Sequence, residues 1–130
     1  MKEFGEKAAF RKRTKLFGLS VVKFCGSLDG RRGEVKILRG QLLRAGTSVG
    51  ANYREASRAR SDAEFVAKIE LCAQEADETQ YWLELLTEGC GVSEDRTGPI
   101  HAEADELISI FVTMAKNTKA RVAAQKRKQN

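Results

Sequence analysis

Residues 38–86 read LRGQLLRAGTSVGANYREASRARSDAEFVAKIELCAQEADETQYWLELL, and this stretch decides the fold. Its first half carries Leu38, Leu42, Ala45, Val49, Asn52 and Ala56, continuing back to Val35, in alternating steps of three and four. That is one stripe of an α-helix. Its second half repeats the pattern with Phe65, Ile69, Cys72, Ala76, Thr79, Leu83 and Leu86. A neighbouring stripe of Leu71, Glu75, Glu78, Trp82 and Leu85 predicts burial over a wide arc. Between the halves, Ser61 and Glu64 form an S-x-x-E capping box, with Asp62 adding negative charge to the same first turn. The stretch therefore predicts two long helices, about residues 34–59 and 62–87, meeting at a polar joint.

Working outward, Phe10, Thr14, Phe17, Val21, Phe24 and Leu28 place another amphipathic helix over about residues 6–25. The glycine-rich run from Gly26 to Gly33 breaks it and reads as a connector; no GK[ST] follows, so it is no P-loop. Toward the C-terminus, Gly89 to Gly98 reads as a second connector. Pro99 suits a first helical turn, and Ile100, Ala104, Leu107, Phe111 and Met114 carry a fourth helix over about residues 99–122. A basic tail is expected to fray from about Ala123. Four long helices with short joints predict one all-α domain over residues 1–130, an antiparallel up-down-up-down four-helix bundle.

Composition agrees. With one proline, 42% hydrophobic and 32% charged residues, the chain suits a helical protein and not a sheet. No apolar run is long enough to span a bilayer, and the charged start MKEFGEKAAFRKRTK does not read as a secretory signal, so no membrane association and a cytoplasmic location are expected. Cys25, Cys72 and Cys90 are too widely spaced for a disulfide or zinc framework; Cys25 and Cys72 fall on apolar faces as small hydrophobes.

Charge is strongly segregated. Residues 1–60 are net +10, residues 61–106 net −11 and residues 107–130 net +6. Such asymmetry means either a basic surface that attracts a polyanion or helices of opposite charge facing each other, within a subunit or between subunits. The candidate phosphate contacts are Arg11, Lys12, Arg13, Lys15, Arg31, Arg32, Arg39, Arg44, Arg54, Arg58 and Arg60, with Lys126, Arg127 and Lys128 of the tail.

The remaining polar residues point to structure. Asn52 lies on a core seam and is expected to hydrogen-bond across the bundle and fix register. Gly46 and Gly50, four apart, predict close approach of another helix. Glu75 and Glu78 have the spacing of a di-metal carboxylate pair, but the E-x-x-H that such a site needs is absent and the lone histidine, His101, reads as a surface residue. Neither a metal nor a cofactor is expected, and no serine or cysteine has a histidine partner for nucleophilic catalysis. Glu75 and Glu78 are expected to pair with Asn52, Arg54 or Arg58, or with a neighbouring subunit.

Gln41-Leu42, Arg44-Ala45, Ser48-Val49, Asn52, Glu55, Arg60-Ser61, Glu64-Phe65, Glu75 and Glu78-Thr79 resemble the motif of the bacterial four helix bundle protein family. That family includes proteins encoded by large-subunit rRNA intervening sequences and is related to accessory variability determinants of diversity-generating retroelements. The resemblance covers about Phe17 to Phe111. This chain departs from it at Ala56, where relatives often have glycine, at Cys72, where they have serine, and in lacking a Phe-Pro pair after helix 1. The resemblance implies a non-enzymatic, ring-like homopentamer whose basic surfaces bind RNA or DNA, with a reverse transcriptase or another nucleic-acid enzyme as a further partner. The alternative is a protein-interaction scaffold whose charges serve only assembly, with Arg54 and Arg58 spent on acidic residues of helix 3. Asn52, Glu55, Ser61, Glu64, Glu75 and Glu78 then act in register and assembly.

Overall fold

The computed structural model describes residues 2–129, with side chains described from Gly5 onward. It contains four helices: α1 Lys2–Gly26, α2 Gly33–Ala56, α3 Asp62–Cys90 and α4 Glu94–Gln129. Each packs on the next in sequence, α1 on α2, α2 on α3 and α3 on α4, while α4 and α1 touch more sparingly and close the ring. Short connections force neighbours to run antiparallel. The core is the set of stripes expected from the sequence: Phe17, Val21 and Phe24 of α1, Leu42 and Val49 of α2, Ile69, Leu83 and Leu86 of α3, and Leu107 and Phe111 of α4 are all buried. Phe10 meets Tyr53 and Phe111 edge to face, at centroid distances of 4.8 and 5.6 Å, so aromatic packing reinforces the thin α1/α4 closure.

Gly46 and Gly50 do serve a close crossing. A Cβ on Gly46 would lie 2.7 Å from both methyls of Val21, and one on Gly50 would lie 3.2 Å from the Thr14 carbonyl oxygen. Here α1 and α2 approach backbone to backbone. The roughly 1 kcal/mol helix-propensity cost of each glycine is offset by that contact.

Several boundaries differ from expectation. α1 begins at Lys2, earlier than Glu6. α2 ends at Ala56, because Arg58 and Ala59 donate to carbonyls only three residues back and tighten the chain out of the helix ahead of the extended Ser61. α3 continues through Gly89 to Cys90 and stops at Gly91, whose φ of 73° only glycine adopts readily; its N–H and that of Val92 both reach the Leu86 carbonyl. α4 starts at Glu94, five residues before Pro99. Ser93 caps it by accepting from the Asp95 N–H (3.1 Å), and Pro99 falls within the helix. The segment expected to fray from about Ala123 instead forms the last two turns of α4, with its basic side chains exposed.

Asn52 is a further correction. It is half-buried, and its amide donates within α2 to the Ser48 carbonyl (2.9 Å), not across the bundle. Tyr53, the next residue, takes the core position. No helix among the described residues is long and apolar enough to cross a membrane.

Candidate nucleic-acid interface

The antiparallel arrangement puts the N-terminus of α1, the α2–α3 joint and the C-terminus of α4 at one end of the bundle, here the joint end. The joint itself is held by Ser61, whose hydroxyl accepts from the Glu64 N–H (3.1 Å). The Glu64 carboxylate reaches back to the Arg60 N–H (3.4 Å), one residue earlier than the usual capping box. Arg121 of α4 pairs with Asp62 at 2.7 Å and fastens the last helix to this corner. Beyond Arg121 the axis of α4 continues for ~10 Å to Lys128, at 1.5 Å per residue.

The fourteen candidate cations then separate into two groups. Five are engaged inside the protomer. Arg13 bridges to Glu103 (2.8 Å) and Glu106 (3.5 Å) of α4; the Glu103 hydrogen bond raises the guanidinium pKa, and Arg13 lowers that of Glu103 in turn. Arg44 pairs with Glu75 (3.3 Å) and Glu78 of α3. Arg31 pairs with Asp29, and Arg32 with Glu34, both at 2.9 Å; Arg32 also donates to the Cys90 carbonyl. Arg39 donates to the Leu28 carbonyl at 3.1 Å and so holds the connection that follows α1.

The other nine are Arg11, Lys12, Lys15, Arg54, Arg58, Arg60, Lys126, Arg127 and Lys128. Among the described residues, none of their side chains has a carboxylate partner. All nine lie toward the joint end, on α1 up to its middle, the C-terminal end of α2 with its connection, and the end of α4. Arg54 stands between two concavities. One is a groove of about 290 Å³ between α1 and α2, where Arg11 and Lys15 share the rim. The other is a hollow of about 570 Å³ over the joint, lined also by Arg58, Arg60 and Lys68. Lys68 is partly neutralised by Glu55 at 3.3 Å, which gives that glutamate a local partner.

The carboxylates of α3 do not pair as expected. Glu75 and Glu78 meet Arg44, and Glu78 also accepts from the Trp82 indole N–H (3.2 Å); Arg54 and Arg58 are exposed and take no part. His101 was expected at the surface and is only half-exposed, 2.9 Å from Glu84. Gln80 has a role that the helical stripes do not mark. It is buried and donates to the His101 carbonyl (3.1 Å), tying α3 to α4. The available signal was its place one residue past Thr79 on a wide buried arc. Among the described residues, no group of three or more His, Cys, Asp or Glu is placed to hold a metal ion. The three thiols are free and buried, and desolvation pushes Cys25 up to about 11 and Cys72 to about 12.

The comparisons agree with this architecture. A solved structure described as a protein of unknown function from the S23 ribosomal protein family of Bacteroides thetaiotaomicron VPI-5482 superposes with a TM-score of 0.75 at 31% identity. The match covers 82% of this chain and 97% of that one. No protein of curated function matches. The family model described as 23S rRNA-intervening sequence protein matches residues 6–113, most of the bundle, and the chain belongs to that family.

Proposed function

We propose that this chain is a cytoplasmic, non-enzymatic, self-associating bundle protein that binds the phosphate backbone of nucleic acid through the joint-end cations. The observation that carries the reading is the sorting of charge: among the described residues, nine of fourteen candidate cations have no carboxylate partner, and all nine gather toward one end. A guanidinium that already bridges carboxylates has few donors left for a phosphate. One facing water gains by releasing the counterions of a polyanion. Contacts of this kind position a nucleic acid without reading its bases. The family description ties its members to an insertion in 23S rRNA, so RNA is the polyanion to test first. Work beside a reverse transcriptase or other nucleic-acid enzyme is compatible with a binder of this type.

The test is a binding titration of labelled RNA across a salt series. Affinity is expected to fall steeply, with a log–log slope of roughly −0.7 to −0.9 for each phosphate neutralised. An affinity that does not change with salt, or no binding at low salt, refutes the reading. The second outcome favours the scaffold alternative, in which the cations serve only assembly; the engagement of Arg13 and Arg44 by glutamates is the observation on its side.

A further inference from the structure

We infer that the joint end also receives an unstacked base of a single-stranded RNA, in a pocket that lies beside the α2–α3 connection and is walled by Phe65. The inference rests on the phosphate-binding reading and narrows its ligand from any polyanion to a strand with unpaired bases.

The pocket has a volume of about 530 Å³ and draws on all four helices, from Lys7 of α1 to Thr118 of α4. α2 ends at Ala56, and the chain turns through Ser57 and Ala59 before α3 begins. The small side chains of that turn leave room beside Phe65, which is half-buried and packs on the core. An aromatic side chain in such a wall is a surface on which an unpaired base stacks, and stacking tolerates any base. The remaining lining is polar. Ser57 and Thr118 donate their hydroxyl protons to the Arg54 and Met114 carbonyls, at 2.8 and 2.9 Å. Their oxygens keep lone pairs that can accept from the edge of a base. Asp62 and Arg121 also line the pocket, as an ion pair of 2.7 Å.

Arg60 joins this pocket to the phosphate-binding surface. It lines both the pocket and the hollow over the joint, where Arg54 and Arg58 continue the row. Its backbone N–H is held by Glu64, while its side chain has no carboxylate partner among the described residues. A strand whose phosphates cross the hollow therefore passes Arg60 at the edge of the pocket, and the base carried there can turn in. Bases inside a duplex are already paired and stacked, so only a single strand, a loop or a frayed end supplies one without an unstacking cost. The cations position the strand, and the pocket selects it for being unpaired.

The test compares two unstructured RNA strands of equal length, one intact and one abasic throughout, so that phosphates are matched and only bases differ. In anisotropy titrations at low salt, the wild-type chain is expected to bind the intact strand more tightly by roughly tenfold, with similar salt slopes for both. Phe65→Leu removes the ring, and Ala59→Leu fills the pocket while keeping the ring and every charge. Each variant should bind the intact strand no better than the abasic one, with its affinity for a blunt RNA duplex unchanged. Equal wild-type affinity for the two strands overturns the pocket and leaves phosphate binding standing; binding of neither overturns both. A base preference that survives in both variants overturns the assignment to this pocket. Should Phe65→Leu lower the Tm, Ala59→Leu decides. Loss of duplex binding by Ala59→Leu to the same extent as single-strand binding counts against the proposal.

Discussion

Arg31 and Arg58 flank opposite ends of α2, one just before it and one just after, and both were candidate phosphate contacts. Arg31 folds back on Asp29 at 2.9 Å; Arg58 pairs with no carboxylate among the described residues and borders the hollow over the joint. The same contrast holds for the ends of the whole bundle. Away from the joint, Arg32 and Arg39 close the chain by donating to the Cys90 and Leu28 carbonyls. At the joint, the closing work is done by Ser61, Glu64 and the Arg121–Asp62 pair, which leaves the side chains of Arg54, Arg58 and Arg60 unspent. A basic residue in a connection is thus either a strap or a contact, and what separates them is whether its side chain is paired; beside Arg58 and Arg60, Glu55 is held by Lys68 and Glu64 by the Arg60 N–H.

The contrast breaks most directly in binding. Reversing three joint-end charges, Arg54→Glu, Arg58→Glu and Arg60→Glu, should weaken RNA binding at low salt by roughly a hundredfold and flatten the salt dependence by about three contacts. Arg31→Glu at the other end should change it little. Equal losses at both ends, read by anisotropy titration, would remove the distinction between strap and contact.

A second prediction asks whether the two ends belong to one cooperative body. The α1/α2 crossing over Gly46 runs between them. Gly46→Ala pushes a methyl against Val21 and should destabilise by about 1–3 kcal/mol, less up to about 1 kcal/mol returned by helix propensity. The lowered thermal midpoint should be the same by Trp82 fluorescence and by far-UV circular dichroism. Midpoints that separate would mean that the ends unfold independently.

Third, Ser61→Ala should cost about 1 kcal/mol by removing the α3 cap, measured by urea denaturation, since the hydroxyl satisfies a helix-terminal N–H. Ser93→Ala, at the far end, should cost a similar amount. Ser61→Ala alone should also disturb RNA binding, because Arg60 sits beside that cap.

Much of the fold could be read from residues whose role is set by local spacing. The stripes of α1 through α4 and the Ser61 cap follow from 3.6-residue periodicity and a hydroxyl placed before acidic residues, and neither depends on distant contacts. The close crossing at Gly46 and Gly50 was legible for a similar reason: two glycines in a helix interior carry a propensity cost that needs an offset. The misread residues were those whose role depends on a neighbouring helix or on chain geometry. Asn52 and Tyr53 are adjacent, and a rotation of about 100° per residue decides which is buried; the choice fell to Tyr53 because Phe10 and Phe111 offer it an aromatic cluster. Glu75 and Glu78 lie nearer Arg44 than Arg54 through the offset between α2 and α3, which no pattern within either helix encodes. Pro99 misplaces the start of α4: proline favours the first helical position, but here it is the sixth residue of a helix that Ser93 caps. For the candidate interface, the sequence supplied the candidate cations but not their sorting, even for Arg31 and Arg32, whose acids Asp29 and Glu34 each stand two residues away.

The smallest expected effect concerns the α1/α4 closure, where Arg13 holds Glu103 by two hydrogen bonds of 2.9 and 2.8 Å. Arg13 is a strap within the half of the bundle where its neighbours Lys12 and Lys15 are unspent, so it tests whether partner and not position decides a cation's role. Its hydrogen bond holds the Glu103 pKa below the ordinary glutamate value of 4.5. A carboxylate lowered on folding contributes stability that is present above the unfolded pKa and lost as pH falls through the folded one. The wild-type protein should therefore lose an increment between about pH 5 and the acid range that Glu103→Gln lacks, while at pH 7 the variant should already be less stable. Both side chains are partly exposed, at 36% and 30%, so solvent screening keeps the increment to less than about 1 kcal/mol. Urea titrations of both proteins at pH 7 and pH 4 measure it. Parallel curves would mean that Arg13 gains nothing from its partner, and it would then join the nine cations available to phosphate.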